Sequence, residues 1–153
     1  MATLKMEVHG LAELLAGLEK LGQDMTGALD DVVNATGLEL RGDIIKRYQR
    51  GPASGRTYRK YKPNRTHQAS APGQSPMTDT GRLQGGTMFD KTGPASVRVF
   101  NAIEYAAALE YGSTNGRGRI APRPAWRPAI DKMRPKYEKR INDAIAEAVR
   151  RAT

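Results

Sequence analysis

The chain has 153 residues, 39% of them apolar and only 6% aromatic, with a net charge of +9; this fits one domain over 1–153 with a modest core and a marginally stable isolated subunit. It has no cysteine, which excludes a disulfide framework, a Cys-based zinc site and a thiol nucleophile. No apolar run approaches the ~20 residues of a membrane span, the first residues lack the basic and apolar regions of a signal peptide, and an intracellular, soluble setting without membrane contact is expected.

Leu4, Met6 and Val8 alternate with polar residues, the period of a half-buried strand. Leu11, Leu14, Leu15, Leu18 and Leu21 then recur at helical spacing, and Gly22 reads as a helix stop. A second, longer helix is expected from about Asp24 to Tyr48, along the stripe Met25, Leu29, Val32, Val33, Leu40, Ile44 and Tyr48. Gly37 and Gly42 each cost that helix about 1 kcal/mol relative to Ala, and close packing against another backbone would account for them. From about 51 to 80 the pattern collapses into Pro, Gly and small polar residues, which reads as a mobile, structureless loop. Two short strands follow, at about Leu83–Phe89 and Ser96–Phe100, joined as a hairpin through Asp90–Pro94. In the second, Val97 and Val99 face one way and Arg98 the other. Ile103–Tyr111 reads as a short helix ended by Gly112, and a second mobile loop spans about 112–125. The last helix runs from about Pro128 to Ala152, with Pro135 kinking it or marking its true first turn. The fold class is α+β: a small, mostly antiparallel sheet packed by two or three helices, with long flexible loops.

Charge is unevenly spread. Residues 1–43 hold three basic and eight acidic side chains, whereas residues 44–128 hold fifteen basic and four acidic. Such polarity favours head-to-tail contact between an acidic and a basic face of identical subunits; the plainer account is a solvated basic loop.

No catalytic constellation is legible. His9 sits at a strand end and His67 in the loop, with no carboxylate within ten residues of His67 to orient it. Asp79 reads as a helix cap or Asx turn ahead of Gly81. Glu104 and Glu110 lie on different helix faces, and the glycines of 112–118 lack the context of a phosphate loop. No catalytic residue, cofactor or metal ligand is therefore assigned, and the chain is expected not to be an enzyme. The stretch from Lys46 to Arg65 interleaves eight basic residues with Tyr48, Tyr58 and Tyr61, which suits non-specific phosphate neutralisation and base stacking. Trp126, framed by Pro124 and Pro128, reads as a core or subunit-interface anchor. Candidate contact residues are Arg56, Arg59, Lys60 and Lys62 in the first loop, then Arg82. Tyr105, Glu110 and Tyr111 follow, then Arg117, Arg119 and Arg123 in the second loop, and Trp126.

Two blocks stand out: Ser70-Ala-Pro-Gly leading to Thr80-Gly-Arg-Leu83, and Tyr105-Ala-Ala-Ala-Leu-Glu-Tyr-Gly112 followed by Arg123-Pro-Ala-Trp-Arg-Pro-Ala129. With the opening strand and Leu-rich helix at Gly10–Leu21, their order resembles the gene-product-10-like family of tailed-phage tail-completion or neck proteins. The basic insert at 51–68 and Pro135 depart from that pattern. The resemblance implies a non-enzymatic virion protein, assembled in the host cytoplasm, that forms a ring, sixfold to match a tail tube, at the head–tail junction. Its implied partners are copies of itself, a tail-terminator protein, head-completion or connector proteins, and DNA in the channel by non-specific contact. The alternatives are a basic DNA-associated protein and, more remotely, a small hydrolase.

Overall fold

The computed structural model describes residues 11–114 and 119–152; the strand expected at Leu4–Val8 and the candidate Arg117 lie outside them. The fold is α+β, and the described residues form four helices and two antiparallel hairpins. The strands form two separate two-stranded sheets rather than one.

Helix α1 runs unbroken from Leu11 to Gln49, so Gly22 does not stop it. A helix stop of the expected kind needs a residue with positive φ, and Gly22 has none. Thr26 Oγ1 donates to the Gly22 carbonyl at 2.8 Å, back-bonding into the turn instead. Helix α4, Trp126–Ala152, packs antiparallel on α1. Lys132 reaches Asp43, while Lys136 and Arg140 reach Glu39. Pro128 falls in the first turn of α4, where an amide would have no intrahelical acceptor. Pro135 lies inside the helix, four residues beyond Asp131, and is exposed.

The hairpin β3 (Thr87–Gly93) and β4 (Ser96–Asn101) packs on α1. Val97 and Val99 are half-buried and Arg98 is exposed, as the alternation predicts. The segment from Leu83 to Gly85 is helical rather than extended: α2, Arg82–Gly85, precedes β3. A Cβ on Gly37 would stand 2.7 Å from Phe89 Cε2 and 2.8 Å from Val97 Cγ2. The glycine thus admits side chains of the hairpin, not another backbone. A Cβ on Gly42 would meet nothing within 4 Å, so close packing does not account for that glycine. Helix α3, Ala106–Tyr111, ends at Gly112 with φ 81°, the expected stop.

The core is small. Ile44, Tyr48, Ala125 and Ala129 are buried together, with Leu40, Leu83, Val99 and Trp126 packed around them. Leu14, Leu15 and Leu18, which the spacing placed on a helix's apolar face, are 60%, 57% and 55% exposed. The end of α4 reaches only as far as Asp24–Asp31 of α1, where Glu147 and Arg151 share a cleft with them. The first turns of α1 project past it.

Candidate functional site

The stretch expected to be structureless contains a second hairpin, β1 (Thr57–Tyr61) and β2 (Asn64–Gln68), turning at a cis Lys62–Pro63 bond. Its register pairs Tyr58 with His67 and Lys60 with Arg65 on one face, and Arg59 with Thr66 and Tyr61 with Asn64 on the other. Lys60, Arg65 and His67 are each partly buried, whereas Arg59, Tyr61, Asn64 and Thr66 are exposed.

Asp79 holds the inner face. Its carboxylate pairs with Lys60 and Arg65, and His67 Nδ1 stands 3.7 Å away. This corrects the reading of Asp79 as a cap: Gly81 precedes α2, and no side chain caps that helix. It also supplies the carboxylate that His67 lacked in sequence. Burial, then the charges of Lys60 and Arg65, hold His67 below its ordinary pKa. Ser70 Oγ, which lines the same cavity as His67, is fully buried and has no hydrogen-bond partner among the described residues. Among the described residues no three His, Asp or Glu side chains gather as a metal site, and no helix is long and apolar enough to cross a membrane.

On the outer face Arg59 stands 5.8 Å from the Tyr61 ring centre. Arg56 stands 5.4 Å from the ring centre of Tyr58, which belongs to the inner face. Tyr61 is 79% exposed. Lys62 sits exposed at the turn.

Behind the hairpin the two blocks singled out in the sequence meet. Arg123 Nε donates to the Ser70 carbonyl at 3.0 Å, Ser75 Oγ to the Pro124 carbonyl at 3.2 Å, and the Gly73 amide to the Pro122 carbonyl at 2.8 Å. Between them lies a cavity of about 410 Å³ lined by Tyr58, His67, Arg82, Tyr105 and Arg123 among others. Arg82 stacks over Tyr105 at 5.7 Å.

Glu110 caps α4. Its Oε2 accepts from the Ala125 and Trp126 amides at 2.8 and 3.1 Å, and Oε1 from the Arg127 amide at 2.9 Å. Trp126 Nε1 donates to Tyr48 Oη at 2.8 Å. Of the twelve candidates, then, Lys60, Glu110, Arg123 and Trp126 are engaged in internal contacts. Arg56, Arg59, Lys62, Tyr111 and Arg119 are exposed, and Tyr105 is half-buried under Arg82. Sequence reasoning missed Asp79 as the partner of Lys60 and Arg65, and the Ser70 carbonyl as the acceptor of Arg123; the one legible hint was Asp79's place as the sole acid between Ile44 and Arg82.

Compared with protein-family models, curated proteins and solved structures, the chain matches none.

Proposed function

We propose that this chain is a structural virion protein of a long-tailed phage or prophage, a ring subunit at the head–tail junction that joins tail to capsid. The proposal starts from the order of the two sequence blocks, which resembles that of tail-completion proteins. The observation that carries it is the pair of unlike exposed surfaces at opposite ends of α1, a leucine-bearing acidic end and a basic aromatic hairpin. A junction subunit must present two surfaces at once. Its partners in this reading are its own copies, a tail-terminator protein and head-completion proteins. An epitope-tagged copy incorporated into particles and labelled with gold should mark the neck. Label absent from complete virions, or spread over the capsid, would refute the proposal.

A second reading, a basic protein that binds DNA non-specifically, is favoured by one observation: Arg59 and Tyr61 stack on the outward hairpin face. In that case the logarithm of duplex affinity falls by about 0.9 per phosphate contacted for each tenfold rise in salt. Affinity indifferent to salt would eliminate it.

A further inference from the structure

We infer that the first turns of α1 in one copy dock on the outward face of the β1–β2 hairpin in the next, a head-to-tail contact that rests on the ring reading above. Leu14, Leu15 and Leu18 form an apolar stripe more than half exposed on a helix that has outrun its partner α4. An unpartnered leucine face of this kind marks an interface. On the same turns Glu13 and Glu19 outweigh Lys20, and neither has an ion-pair partner among the described residues.

The hairpin offers the complement. Arg56, Arg59 and Lys62 are exposed, and none has a carboxylate partner among the described residues. Arg59 lies over Tyr61, the most exposed large apolar side chain of the described residues at 79%. Tyr and Arg are among the residue types enriched at the energetic centres of interfaces. Leucine against the tyrosine ring, with carboxylates beside guanidinium groups, matches both surfaces in polarity and in charge.

Geometry forbids the contact within one molecule. The hairpin packs beside Asp79, close to Tyr48 at the far end of α1. A 39-residue helix at ~1.5 Å per residue separates the two ends by roughly 58 Å. The contact is therefore between copies and joins two different faces. Such a heterologous contact builds a ring when its rotation closes and a filament when it does not.

A charge swap between two variants tests this. The first variant carries Glu13→Arg and Glu19→Arg, the second Arg56→Glu and Arg59→Glu. Each should match the wild-type melting temperature at concentrations low enough to keep both monomeric, and lose self-association by about 100-fold or more, as two reversed charge pairs require. Mixed together they should reassemble in alternation, because the basic helix end of the first meets the acidic hairpin of the second, and the unchanged acidic helix end of the second meets the unchanged basic hairpin of the first. In the cysteine-free wild-type background, the double substitution Leu18→Cys and Tyr61→Cys should give intermolecular disulfide ladders on oxidation. Wild-type rings unaffected by either variant would overturn this contact and leave the ring standing. A chain that stays monomeric up to millimolar concentration would overturn both. Two-membered species that stop at the dimer, linked through Leu18→Cys alone, would show helix-to-helix pairing and also sink the inference.

Discussion

Trp126 Nε1 donates to Tyr48 Oη at 2.8 Å, tying the first turn of α4 to the last turn of α1 across 78 residues of sequence. Tyr48 is 3% exposed. Burial, against the hydrogen bond from Trp126, pushes its phenol up to about 12. Trp126→Ala should cost about 3 kcal/mol, the low end for a large aromatic because the ring is half-buried. Trp126→Phe keeps most of the ring and strands the buried phenol, which costs about 1–3 kcal/mol. Urea unfolding measures both. An alanine variant within 1 kcal/mol of wild type would contradict this anchoring role.

Two glycines of α1 should respond in opposite directions. Gly37→Ala drives its methyl into the Phe89 ring and Val97, where neither neighbour is a flexible chain end, and should lose about 1–3 kcal/mol. Gly42→Ala meets open space and should gain up to about 1 kcal/mol from helix propensity. Thermal melting of the pair checks the register of α1 against the β3–β4 hairpin; equal shifts would show that the register is wrong.

Asp79 should govern the order of the basic hairpin. Asp79→Ala removes the acceptor shared by Lys60 and Arg65, so trypsin should cut at Lys60 and Arg65 several-fold faster. Arg56, which does not touch Asp79, should be cut at an unchanged rate. The stretch 51–80 should remain the first region cleaved in the wild type. Initial cleavage inside α4 with this stretch intact would contradict that expectation.

Stability should fall on acidification in two stages. His67 has a depressed pKa when folded, so the unfolded chain takes up its proton first, and stability drops as pH falls below the ordinary value near 6.5. Glu39 is held low chiefly by Lys136, and Asp30 chiefly by Lys91. Burial opposes the ionised form of Asp43, but Lys132 and Arg47 outweigh it. These carboxylates contribute above their ordinary pKa values near 4, and that stability is lost as pH falls through their folded values. His67→Gln should flatten the first stage and leave the second. A variant whose pH profile overlays the wild type would rule out His67 as its source.

Part of this fold was legible because its signals are local and apolar. Val97 and Val99 alternate with Arg98, and Ile130, Met133 and Tyr137 recur at helical spacing, so β4 and α4 stood out. The β1–β2 hairpin was silent to the same reading. Its inner face is Lys60, Arg65 and His67, held by the carboxylate of Asp79 rather than by apolar packing. The cap that Glu110 places on α4 and the bond from Trp126 to Tyr48 span 15–78 residues, a range at which no periodicity reports. Gly22 misled because a glycine marks a helix end only where the backbone turns left-handed. Leu14, Leu15 and Leu18 have the expected helical spacing but are more than half exposed, beyond the stretch of α1 that α4 covers.

If the chain joins heads to tails, as proposed above, deletion of its gene should be visible by electron microscopy of the lysate. DNA-filled capsids and fully polymerised tails should lie unjoined, with joining restored by the wild-type chain and weakened by charge reversal at Arg56, Arg59 and Lys62. Normal infectious particles from the deletion strain, or heads left empty by failed packaging, would contradict the proposal.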